Sequence, residues 1–136
     1  MSALDGIAEE QPALLRADAI SRLAAATGFD WDDAAGARAK VIEEMAEVDA
    51  ADSHAERLDE IGDLLFALVN WARKLGIEPE AALHQATTKF ERRFRAMETL
   101  AEADGGLAGQ TLAAQDRYWV RAKQAEHVDE ERGEQR

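Results

Sequence analysis

Two pairs of acids constrain this chain more than any other feature. Glu44 and Glu47 stand three residues apart, and so do Glu60 and Asp63. Residues three apart share one face of a helix. Between the pairs, Asp52-Ser53 is a turn signal. If the chain reverses there, Glu47 comes level with Glu60 and Glu44 with Asp63. The four carboxylates then form two rungs between antiparallel helices. Facing acids repel one another, and a hard divalent cation is the usual way to hold them together. The competing reading is a solvated acidic face. The matched heights count against it, as does the setting of Glu60 and Asp63 among Leu, Ile, Val and Ala. All-oxygen donors favour Mg²⁺, with Mn²⁺ second, over zinc or copper. Glu43 is turned by about 100° from Glu44 on the helix. It meets a second ion, a water or plain solvent.

The rest of the chain reads as helix throughout. Residues 1–11 are polar and irregular and are expected to form a flexible arm. Pro12 suits a helix start, and Leu14, Leu15, Ile20 and Leu23 give an apolar pattern that closes at Thr27-Gly28. Phe29-Asp-Trp-Asp-Asp33 follows, an aromatic anchor for the loop or a wall of a ligand pocket. The second helix is predicted from about Asp33 to Ala51, with Val41, Met45 and Val48 as its core stripe. Ser53 with Glu56 reads as a capping box that opens the third. There Leu58, Ile61, Leu65, Leu68, Ala72 and Leu75 alternate three and four apart, the seam of a bundle. Asn70 lies two turns beyond Asp63 on the same face. The helix stops at Gly76.

Pro79 opens a long fourth helix reaching about Ala103, with the stripe Leu83, Ala86, Phe90, Phe94, Met97 and Leu100 or Ala101. Asp104-Gly-Gly breaks it. Thr111 caps a fifth helix, predicted from Leu112 to Glu126. The charged tail, residues 127–136, is expected to be disordered. No strand-like alternation of useful length occurs. The expected fold is therefore all-α, about five helices over residues 12–126 around a central antiparallel metal-binding hairpin. Leu64, Phe66, Val69 and Trp71 add apolar surface beyond the narrow seam. A lone hairpin cannot cover all of it, so a second copy of the chain is expected to complete the bundle.

Charge narrows the functions. With 28 acidic and 16 basic residues the net charge is −12, which argues against nucleic-acid polymers and anionic membranes as partners. The chain has no Cys, so thiolate metal sites and disulfides are excluded, and a cytoplasmic setting is compatible. The start resembles no signal peptide, and no apolar run approaches the ~20 residues that span a bilayer. His54, His84 and His127 show no metal spacing. No Gly-rich phosphate loop of the Walker type occurs. The basic candidates are Lys40, Lys89, Arg92, Arg93, Arg95 and Lys123. Lys89 and Arg93, four apart beside an apolar seam, suit phosphate; Arg92 and Arg95 read as ordinary surface charge.

These residues together resemble the MazG family of nucleoside triphosphate pyrophosphohydrolases. The pattern Glu-Glu-x-x-Glu, a spacer, then Glu-x-x-Asp appears as Glu43-Glu44-Met-Ala-Glu47 and Glu60-Ile-Gly-Asp63. Pro12-Ala-Leu-Leu-Arg16, Gly28-Phe-Asp-Trp31, Gly62 to Asn70, Lys89-Phe-Glu-Arg-Arg-Phe94 and Tyr118-Trp119 extend the similarity over roughly residues 4 to 125. Many members carry two such domains, and this chain is similar to the later, catalytic one. Thr87 departs from the Asn usual at that place. The resemblance implies an all-helical fold that pairs into a homodimer or higher assembly. It implies Mg²⁺ on Glu44, Glu47, Glu60 and Asp63, and nucleotide contacts from Lys40, Lys89, Arg93 and Trp119. Asn70 and Lys123 join these as candidate substrate contacts. The implied reaction cuts a nucleoside triphosphate between its α and β phosphates, with Glu43 as base for the attacking water and Glu47 as its rival. A regulatory module that binds nucleotide or metal without turnover, or a plain dimerisation domain, is the alternative.

Overall fold

The computed structural model describes residues 1–135, which form five α-helices and no strand. They are α1 (Ala13–Ala26), α2 (Ala34–Ala50), α3 (His54–Lys74), α4 (Pro79–Ala101) and α5 (Leu112–Glu134), with a 3₁₀ turn at Glu102–Asp104. The all-α expectation is borne out. The chain divides into two compact units, Met1–Leu83 and the residues from His84 onward.

In the first unit, α3 packs against both α1 and α2. Each boundary has a local cause. Asp33 caps α2 by accepting from the Gly36 N–H at 3.1 Å. Ser53 caps α3 by accepting from the Glu56 N–H at 3.1 Å. Glu56 reaches back to the N–H of Asp52 at 2.8 Å, one residue before the partner a standard capping box uses. Gly28 and Gly76, with φ of +99° and +74°, end α1 and α3 in a conformation that side chains disfavour. Only Ala51, Asp52 and Ser53 link α2 to α3, and a link that short turns two packed helices antiparallel.

The buried faces differ from the predicted stripes. In α1 the most buried residues are Asp18 and Ser21, while Leu14, Leu15, Ile20 and Leu23 are only half-buried. In α2 the core positions are Ala37, Val41 and Glu44; Met45 is exposed. In α3, Ala67, Val69 and Asn70 turn inward, whereas Leu58 is 70% and Leu65 51% exposed. Ile61, Leu68 and Leu75 are exposed with them. The three-four spacing specifies an apolar face. It does not specify whether that face meets this chain or another.

In the second unit, Met97 and Ala101 of α4 bury against Tyr118 and Ala122 of α5, with Ala96, Leu100, Leu107 and Trp119 around them. Tyr118 donates its hydroxyl to the Asp104 carboxylate, which ties α5 to the turn after α4. The α4 stripe is thus inward only at its C-terminal end. Phe90 and Phe94 are exposed. α5 runs on to Glu134 and does not stop at Glu126, so residues 127–134 are helical where disorder was expected. The stretch holds Glu130, Glu131, Arg132 and Glu134, which favour helix, and the helix runs on through Gly133. Arg136 lies outside the described residues.

Candidate functional site

The hairpin α2–α3 gathers three of the four expected carboxylates. Ligand-type oxygens of Glu44, Glu60 and Asp63 lie within 4.8 Å of one another. Glu44 comes from the inward face of α2 and is 6% exposed; Glu60 is half-buried and Asp63 exposed. Glu47, expected level with Glu60 across the turn, stays outside the group. It borders a cavity of about 340 Å³ with Ala50, Ala51, Glu56 and Glu60. Burial first, and then the neighbouring carboxylates of Glu44 and Asp63, push the Glu60 carboxyl up from its usual range. A cluster that resists ionisation of a further member is one that a cation would stabilise. The donors fit a small hard ion. All three donors are carboxylate oxygens from two helices, the ligand type that a small hard ion such as Mg²⁺ would take.

Lys40 provides the positive charge within this group. Its Nζ lies 3.0 Å from Glu44 Oε1 and 3.1 Å from Glu43 Oε1. The Glu44 contact, and after it Glu43, raises the Lys40 pKa above its usual value. Glu43 is otherwise open to solvent.

The other end of α3 carries a network that the sequence reading passed over. Asp30 accepts from Arg73 Nη1 and Nη2 at 3.0 and 2.6 Å and from Lys74 Nζ at 3.2 Å. Lys74 also donates to the Trp31 carbonyl at 2.8 Å. Arg73 bridges on to the Asn70 side-chain oxygen at 3.1 Å, and Asn70 donates to the Phe66 carbonyl at 3.1 Å. Asn70, a candidate substrate contact, is buried and engaged in this network. The Arg73 guanidinium beside Asp30 holds that carboxyl far below the usual carboxylate range. The available signal was Asp30 in an otherwise aromatic loop and Arg73-Lys74 in the last turn of α3. The network fixes residues 28–31, which line a cavity of about 260 Å³, and leaves the Phe29 ring exposed.

The second unit holds the remaining candidates. The Arg93 guanidinium sits over the Trp119 ring, 5.5 Å from its centroid, and Phe90 packs on the same ring at 5.7 Å. Lys89 and Lys123 are exposed, as are His84 and His127.

Residues 22–90, just over half of the chain and including all of the acid cluster, match the family model described as phosphoribosyl-ATP pyrophosphohydrolase. The chain belongs to this family. It is 43% identical over 113 residues to a nucleoside triphosphate pyrophosphohydrolase/pyrophosphatase MazG of Thermotoga maritima, covering 82% of this chain and 44% of that protein. It is 43% identical over 131 residues to the nucleoside triphosphate pyrophosphohydrolase of Escherichia coli, covering 92% of this chain and 50% of that one. The MazG resemblance drawn from the motifs is borne out by these relatives. The chain spans about half the length of the curated relatives named here.

Proposed function

We propose that the chain hydrolyses nucleoside triphosphates between the α and β phosphates, releasing a nucleoside monophosphate and pyrophosphate. The observation that carries this reading is the convergence of Glu44, Glu60 and Asp63 oxygens, from two helices, within 4.8 Å. Mg²⁺ is the proposed cofactor, held by Glu44, Glu60 and Asp63 with Glu47 at the margin; Mn²⁺ is the substitute. When bound, the ion neutralises phosphate charge and acts as a Lewis acid. Glu43, solvent-facing and steadied by Lys40, accepts the proton of the attacking water, with Glu47 as the rival base. Lys40 neutralises Glu44 and is a candidate phosphate contact. Lys89 and Arg93 are proposed phosphate contacts. Trp119 offers a ring face to the nucleotide, with Lys123 one turn further along α5. Asn70 acts in this reading by holding Arg73, and through it the 28–31 loop.

The chain is further proposed to work as a homodimer or higher assembly. The exposed row Leu58, Ile61, Leu65 and Leu68 supports that, because water-facing Leu and Ile at seam spacing are best covered by a like helix. No described helix is long and apolar enough to cross a membrane. A cytoplasmic role in nucleotide housekeeping suits these features.

The test is a panel of nucleoside triphosphates, with phosphoribosyl-ATP included, assayed with Mg²⁺ for pyrophosphate. Run in ¹⁸O water, the reaction should label the monophosphate and leave pyrophosphate unlabelled. Label in pyrophosphate, orthophosphate as first product, or no turnover of any member sinks the reading.

A further inference from the structure

Within the second unit, Glu126 of α5 collects two arginines of α4. Its Oε2 accepts from Arg93 Nε at 2.9 Å and its Oε1 from Arg92 Nε at 2.9 Å. Glu126 and Trp119 are seven residues apart, so they share a face of α5. Arg93 is therefore held twice, by the carboxylate at Nε and by the Trp119 ring, whose centroid lies 5.5 Å from the guanidinium carbon. Its side chain is 19% exposed and that of Glu126 22%. Both arginines spend only Nε on the carboxylate. Among the described residues their Nη atoms have no hydrogen-bond partner.

We propose that Glu126 is a positioning residue, which fixes Arg93 through Nε so that its Nη pair is presented to the polyphosphate of the substrate. This rests on the reading of Arg93 as a phosphate contact. The physical reason is preorganisation. A guanidinium is a planar fork that grips phosphate through two parallel N–H bonds. An arginine swinging freely must lose rotamer freedom on binding; one already anchored at Nε and lying over a ring has lost most of it. Charge does not oppose this. Two guanidinium groups against one carboxylate leave the cluster positive by one, in a chain of net charge −12. Arg92 first, and then Arg93, hold the Glu126 carboxyl below its usual range, so it is ionised at neutral pH.

A bland ion pair that merely staples α4 to α5 is separable by a double-mutant cycle on the full chain. The probe is inorganic tripolyphosphate with Mg²⁺, titrated calorimetrically into wild type, Glu126→Ala, Glu126→Gln, Arg93→Ala and the Glu126→Ala/Arg93→Ala double variant. Expected are about tenfold weaker binding in Glu126→Ala, a smaller loss in Glu126→Gln, which retains an acceptor oxygen, and less than twofold further loss when Glu126→Ala is added to Arg93→Ala. Unchanged or tighter binding in Glu126→Ala overturns the proposal, since the carboxylate would then compete with phosphate. Equal losses with and without Arg93 overturn it too, by assigning Glu126 a structural part. If Glu126→Ala does not fold, Glu126→Gln with and without Arg93→Ala gives the same decision. Wild-type affinity in Arg93→Ala, or no millimolar binding by wild type, defeats the phosphate reading of Arg93 and this inference with it. A weakened Arg93→Ala beside a harmless Glu126→Ala defeats this inference alone.

Discussion

The ammonium of Lys40 lies 3.0 Å from the buried carboxylate of Glu44. It already offsets part of the Glu44 charge that an added cation would use. Lys40→Met, close in length and uncharged, should therefore make the metal-free chain less stable and enlarge the rise in Tm that Mg²⁺ produces. Differential scanning fluorimetry across a Mg²⁺ series checks this. An identical Mg²⁺ response in both proteins would show that Lys40 and the ion do not compete for Glu44.

Asp63→Asn removes one charge from the cluster without changing its shape. Turnover should fall by at least a hundredfold while the far-ultraviolet circular dichroism stays helical. With one acid fewer, repulsion on Glu60 drops, so the metal-free Tm should hold or rise. Activity within a few-fold of wild type would remove Asp63 from the ligand set.

The Asp30–Arg73 pair predicts an acid limit to stability. The folded-state pKa of Asp30 lies well below its unfolded value of 3.8. A carboxyl depressed in this way stabilises the fold fully above the unfolded value, and the contribution is lost as pH falls from there through the folded one. Asp30→Asn should thus cost ~1.5–3 kcal/mol at pH 7, measured by urea unfolding. The gap to wild type should narrow below about pH 4. A gap that stays constant down to pH 2 would count against the pair.

Gly36 is needed for space. A Cβ built there would stand 2.8 Å from Trp31 Cδ1. Gly36→Ala should push Trp31 off the first turn of α2 and lower stability by ~1–3 kcal/mol, despite the better helix propensity of Ala. Intrinsic fluorescence would follow the displacement; an unchanged spectrum and stability would mean that the ring moves aside freely.

The exposed row on α3 makes the assembly testable. Leu65→Lys should convert the chain to monomers in sedimentation velocity, with little loss of helix content. A wild-type chain that sediments as an active monomer at micromolar concentration would end the dimer proposal.

The helices themselves were legible in the sequence. Ser53 and Thr111 cap where they were expected to, Asp33 caps the helix predicted to begin at about that residue, and Gly28, Gly76 and Gly105 stop where they were expected to. Caps and stops act over three or four residues, so the local sequence determines them. The acid spacing was legible for the same reason: a helix turns through a fixed angle per residue, and a short reversal fixes which positions come level. The tertiary structure decided the rest. It brought Glu44 of α2 within 4.8 Å of both Glu60 and Asp63 of α3 and left Glu47 outside that group, because side-chain direction across a helix pair is set by packing and not by residue counting. It turned Asn70 inward and left Leu58 and Leu65 outside, because an apolar stripe records a need for burial and not the identity of the neighbour. It joined Asp30 to Arg73 and Arg93 to Glu126, pairs 43 and 33 residues apart. Opposite charges attract without a periodic signature, so only the folded chain selects which of many acids each arginine meets.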